Sequence, residues 1–102
     1  MDSTDLADRL MRKLWHRRTQ LAYELNVQCN YAFIGREIEM LLRVHAPRPA
    51  DQPPWETGRL PPLMGIDLVP SDSLRHDEWQ LRDQSGTVRA FGTLTDIREE
   101  TS

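Results

Sequence analysis

Residues 30–45 read Asn30-Tyr31-Ala32-Phe33-Ile34-Gly35-Arg36-Glu37-Ile38-Glu39-Met40-Leu41-Leu42-Arg43-Val44-His45. The fold turns on what this stretch becomes, because it stands between a long amphipathic segment and a proline-rich one. Ile34, Ile38, Leu41, Leu42 and His45 follow the i, i+4, i+7, i+8 rule of a single helical face. The spacing predicts a helix over residues 31–45, with Asn30 as its cap. Pro47 ends it at or before Ala46, because the residue preceding a proline is pushed out of the helical region. Helix propensity weakens at Val27, Asn30 and Tyr31. A break near residues 27–31 is therefore expected rather than one continuous helix of about 40 residues, a length ordinary domains seldom use.

Upstream, residues 4–28 form a second amphipathic pattern. Leu6, Leu10, Leu14, Leu21 and Leu25 recur at spacings of four and seven and lie on one stripe. Ser3 or Thr4 can cap the start, and Asp5 and Asp8 suit the positive end of the helix dipole. Met11, Trp15 and Ala22 form a second apolar set about 100° round the helix from the leucines. With the first reading this gives a helical hairpin.

Downstream, residues 46–62 hold six of the seven prolines. Proline removes a backbone donor and fixes φ, so this stretch is expected to be an extended, semi-rigid crossing without helix or central strand. The pattern then turns to β. Residues 63–69 read as a short apolar strand closed by Pro70, and 71–78 as a polar, acidic loop. Trp79 to Arg82 alternates, Asp83-Gln84-Ser85-Gly86 reads as a hairpin turn, and Thr87 to Leu94 alternates again. Trp79, Leu81, Val88, Ala90 and Leu94 are expected on the covered face, and Arg98 to Ser102 as a frayed tail. The expected architecture is α+β: an N-terminal helical hairpin, a proline-rich crossing segment and a small three-stranded antiparallel sheet. One domain spans 1–102, divided into a helical part (1–46), a connector (47–62), a β part (63–97) and a tail (98–102).

Composition narrows the function classes. At 102 residues and 38% apolar content the chain can bury one modest core. No apolar run reaches the roughly 18 residues of a membrane span, and the acidic start lacks the features of a signal peptide. A single cysteine, Cys29, allows no internal disulfide and suggests a reducing compartment, so a cytoplasmic location is expected. Net charge is −3, but residues 1–46 carry net +1 and residues 47–102 net −4. Arginine outnumbers lysine twelve to one.

Chemistry-bearing motifs are sparse. His16, His45 and His76 stand apart from one another and from Cys29, which argues against a zinc cluster. His76-Asp77-Glu78 with Ser71, Ser73 or Ser85 is a set any polar loop supplies, and no Gly-x-Ser-x-Gly or Gly-x-Gly-x-x-Gly is present. No cofactor is expected. The strongest local feature is Arg9-Leu10-Met11-Arg12-Lys13-Leu14-Trp15-His16-Arg17-Arg18, with five positive charges and no negative one. Arg9, Arg12, Lys13, Trp15, Arg17 and Arg18 are the candidate partner-binding face, against the plainer reading of a solvated helix surface. Trp55, in Pro53-Pro54-Trp55, is either a clasp on the core or an aromatic presented to a partner, the clasp being preferred.

Size, arginine usage and the lack of catalytic motifs resemble the short accessory proteins common in phages of GC-rich hosts. The resemblance rests on no specific motif, assigns no residue a role, and implies a virion location as the alternative to the cytoplasm. The expected function is non-enzymatic protein binding, as an oligomeric structural or assembly factor or a small inhibitor, with self-association through the helices. The competing expectation is a nucleic-acid-binding regulator using the basic face of the first helix.

Overall fold

The computed structural model describes residues 2–46, 55 and 58–100. In chain order the elements are helix α1 (Ser3–Leu25), strand β1 (Tyr31–Ile34), helix α2 (Arg36–His45), strands β2 (Asp67–Pro70), β3 (Glu78–Arg82) and β4 (Val88–Thr93), and helix α3 (Leu94–Glu99). The fold is α+β, with one four-stranded mixed sheet in the order β2-β1-β3-β4. β1 runs parallel to β2 and antiparallel to β3, and β3 pairs antiparallel with β4.

This corrects the expected three-stranded antiparallel sheet and the helix over 31–45. The first four residues of that stretch are a central strand. Tyr31, Phe33 and Ile34 favour a pleated surface, and burial alternates as a strand requires, with Ala32 and Ile34 buried and Tyr31 and Phe33 on the other face. Ile34 satisfied the helical spacing only because it stands four residues before Ile38. Gly35 separates the two elements for a steric reason: a Cβ there would lie 1.9 Å from the Arg75 carbonyl oxygen. Its N–H donates to the Glu78 carbonyl at 2.9 Å, locking the end of β1 against the start of β3. Gly35, not Asn30, is thus the N-cap of α2. The helical hairpin becomes a helix followed by a β1–α2–β2 crossover, since parallel neighbours need a long connection.

Helix α1 begins one residue earlier than expected. Asp2, rather than Ser3 or Thr4, caps it, its carboxylate accepting from the Asp5 N–H at 2.7 Å. It ends at Leu25, where Asn26 adopts the left-handed conformation (φ 53°) and donates back to the Leu21 carbonyl. The apolar segment before Pro70 is strand only from Asp67; Leu63 and Ile66 form an isolated bridge around a turn at Met64 and Gly65. The proposed tail is partly a third helix, capped by Thr93. Of the proline-rich segment, Trp55 and residues 58–62 carry neither helix nor strand, and residues 47–54, 56 and 57 lie outside the described residues.

The core is one cluster joining the helices to one face of the sheet. Leu6, Leu10, Met11, Leu14 and Leu21 of α1 pack with Ile38 and Leu42 of α2, with Leu94 and Ile97 of α3, and with Ala32, Ile34, Leu68, Trp79, Leu81 and Ala90 of the strands. Cys29 is buried among them, as expected of a small apolar side chain. Leu25 is left outside the cluster, and Met11 of the second apolar set is fully buried. Val88 is a further correction. The ladder shifts between Leu81 and Arg82, so Leu81 opposes Ala90 while Arg82 opposes Val88, leaving Arg89 as the extra residue of a bulge. Val88 thereby joins the face opposite the core and is 40% exposed.

Candidate functional site

The basic run of α1 comes together as a surface but does not present free charge throughout. Arg9 donates to Asp5 at 3.0 Å, Arg12 to Asp8 at 3.0 Å, and Lys13 pairs with Glu100 beyond the end of α3. Two of these are i, i+4 pairs, which the sequence contains but which the run of five cations conceals. Arg17 donates to Gln20 at 2.6 Å. Arg18 leans inward: its Nη2 donates to Asn30 at 3.0 Å, its Nε is buried without a partner, and its guanidinium lies beside Gly65. Arg18 therefore ties α1 to the entry of β1. Trp15 is 44% exposed among these groups. The candidate set thus divides into three ion-paired residues, one structural arginine, and Trp15 with Arg17.

Trp55 is half-buried and packs against the core. Its N–H donates to the Arg43 carbonyl at 3.0 Å, and its carbonyl accepts from Arg43 Nη1 at 3.1 Å. Arg43 also reaches the Gly58 carbonyl at 2.7 Å and pairs with Glu39 at 2.9 Å. One arginine on α2 thus fastens the connector at Trp55 and Gly58.

The polar loop residues do not converge. His76 is exposed, and its carbonyl accepts from the Glu37 N–H at 2.8 Å. Ser71 and Ser73 bond to each other at 2.8 Å, and Asp77 accepts from Thr95 at 3.2 Å. Ser85 donates to Asp83 at 2.6 Å. Burial pushes the Cys29 thiol above its ordinary pKa, and the Asp83 charge adds to the shift. Among the described residues no three His, Cys, Asp or Glu side chains gather into a metal-holding group, and no helix is long and apolar enough to cross a membrane.

The feature the sequence reading missed is the other face of the sheet. The strand registers put Val69, Phe33, Gln80 and Phe91 in one row across it, and Asp67, Tyr31, Arg82 and Val88 in the next. Phe91 is 73% exposed and Tyr31 40%. Arg82 lies flat on this face, its guanidinium carbon 3.9 Å from the centroid of Phe33. There it donates to Gln80 Oε1 through Nε at 3.2 Å and Nη2 at 2.8 Å. Stacking and hydrogen bonding together immobilise a long side chain on an open apolar surface. Three aromatics and two valines share this face of the sheet, Tyr31, Val88 and Phe91 among them exposed. Phe91 carried a signal, standing out of phase with Ala90 in the alternation. Tyr31 and Phe33 carried none once their segment was read as helix.

Comparison of the chain with models of known families, with characterised proteins and with solved structures finds no match in any of the three.

Proposed function

We propose that the chain is a non-enzymatic protein-binding module, an oligomeric structural or assembly factor or a small inhibitor, whose interface is the open face of its sheet. The observation that carries this reading is Phe91, 73% exposed on the face it shares with Val88 and, across β3, with Phe33 and Tyr31. A large aromatic left in water gains nothing for the fold, whereas aromatic anchors ringed by polar groups are what protein interfaces use. The helices' own apolar sets are largely occupied within the chain, which moves the interface from the helices to the sheet. A phage-borne assembly factor, in the host cytoplasm or the virion, fits the same surface. The test is affinity capture from the native host, with and without nuclease, using the wild type and a Phe91→Glu variant. Protein partners that survive nuclease and vanish with Phe91→Glu are expected; partners indifferent to Phe91 overturn the assignment of this face.

The second reading, nucleic-acid binding by α1, draws on the exposed Trp15 and on Arg17, which bonds to a neutral glutamine, although the two stand about 200° apart round the helix. Sheet aromatics can also stack bases. Against this, the open face carries Asp67 and Glu78 with Arg82, which gives no positive field to hold phosphates. Loss of the captured partners on nuclease treatment, with loss again on Arg17→Glu, is the outcome that would favour this reading.

A further inference from the structure

The open face carries its charges in an arrangement that is complementary to itself. On β3, Glu78 and Arg82 stand two residues to either side of Gln80, and all three share the open face. Gln80 lies in the apolar row with Val69, Phe33 and Phe91. Consider a two-fold axis in the plane between two such faces, running along that row. It lays the row on its own copy, Phe91 on Phe91, while Phe33 keeps its own Arg82 guanidinium stacked on it. It also exchanges the levels of residues 78 and 82, so Arg82 of each chain faces Glu78 of the other. An isologous interface has this property: residue i meets j, and j meets i.

We propose that the partner of the open face is a second copy of this chain, bound face to face through two symmetric Arg82–Glu78 pairs flanking an apolar row. The inference rests on the reading of this face as a protein interface. Aligned sheets pack about 10 Å apart with their strands roughly 30° off parallel, a gap an arginine and a glutamate span together. Arg82 uses Nε and Nη2 within its own chain and keeps Nη1 for the partner's carboxylate. Asp67 is carried to the level of Ser71 beside β2 and Val88 to that of Thr93 on β4, so no like charges are opposed. A foreign partner would have to supply an acid and a base at this same spacing, whereas a second copy supplies both. Four short strands make a face of only a few hundred Å², below the roughly 800 Å² per partner of a standard interface, so the dimer is weak and concentration-dependent.

The experiment is sedimentation equilibrium across a concentration series from micromolar to about 1 mM, the range a weak dimer needs, with circular dichroism to establish that each variant is folded. Wild type is expected to self-associate. Arg82→Glu opposes two acids at each contact and Glu78→Arg opposes two bases, so each is expected to weaken the homodimer at least about tenfold. Mixed together, the two single variants regain both attractive contacts, and a heterodimer at least as tight as wild type is expected. The double variant, with both charges exchanged, is expected to dimerise like wild type. A monomeric wild type, or folded single variants that fail to pair when mixed, overturns the proposal. If wild type is monomeric while Phe91-dependent partners are still captured from the host, the second copy is excluded and the protein-binding face stands. If capture is also indifferent to Phe91, both fall.

Discussion

Trp79 and Gly92 oppose each other across β3 and β4, and the contact is tight enough to dictate the smaller residue. A Cβ on Gly92 would lie 2.7 Å from Trp79 Cζ2, where the indole fills the core at 1% exposure. Gly92→Ala should therefore cost about 1–3 kcal/mol through overpacking, read as a lowered Tm. Trp79→Phe in the same background should recover part of the loss, because the smaller ring vacates the contested space; losses that simply add would show that the two sites do not touch. The sequence made Trp79 a core residue and Gly92 a strand residue, but not partners, because register depends on the bulge and no local pattern reports it. Asp83 is a second single-residue determinant. The Ser85 hydroxyl and then the Arg89 guanidinium, with the Thr87 and Ser85 backbone N–H groups, hold its carboxyl well below the usual carboxylate range. A depressed folded pKa stabilises the fold above the unfolded value near 3.9 and loses that contribution as pH falls through the folded one. Stability curves of wild type and Asp83→Asn should thus lie apart at neutral pH and converge below about pH 4. A constant separation down to pH 2 would show that the carboxylate's charge is not what holds the turn.

At the scale of elements, the helices were legible where periodicity ran long and misread where it ran short. α1 has 23 residues and a leucine stripe, and its limits fell within three residues of the expectation. β1 has four residues, too few for period two to outweigh an isoleucine that also fits period 3.6. Nothing within residues 31–34 reveals that they lie between two other strands; that follows from their pairing with residues 67–70 and 79–82, far along the chain. Helix α3 is a different kind of miss, because its signal was present. Thr93-Leu94-Thr95-Asp96 spells a capping box, and both of its bonds form: Asp96 N–H to the Thr93 hydroxyl at 3.2 Å, and Thr93 N–H to the Asp96 carboxylate at 3.3 Å. α3 has only six residues and holds Leu94 and Ile97 in the core. Thr93→Ala should accordingly cost about 1 kcal/mol while Thr93→Ser stays close to wild type. Urea unfolding would check this, and equal losses in both variants would move the cause from the cap to the strand. Trp55 belongs to this scale as well. Trp55→Ala should destabilise by about 1–2 kcal/mol, less than a fully buried aromatic, because the side chain is only half covered. An unchanged Tm would return Trp55 to the surface as a partner contact.

Across the whole molecule, the sheet divides the apolar residues into two populations with different physical roles. Those beneath the helices hold the fold together. Leu14 is fully buried in the cluster, so Leu14→Ala should cost about 2–5 kcal/mol. A domain of this length has only about 5–15 kcal/mol in total, which makes that one truncation a large share of its stability. Those on the opposite face contribute little, because they remain in water in the isolated chain. Phe91→Ala, at 73% exposure, should change stability by no more than about 0.5 kcal/mol. The contrast bears directly on function. Leu14→Ala should impair binding only as far as it unfolds the protein, and the loss should recover at low temperature or with a stabilising osmolyte. Phe91→Ala should impair binding in a protein that melts like wild type, and no stabilising condition should restore it. Paired measurement of Tm and partner affinity on these two variants separates the roles. If Phe91→Ala lowered Tm as much as Leu14→Ala, the open face would be part of the fold's own support, and its aromatics would need no partner to explain them.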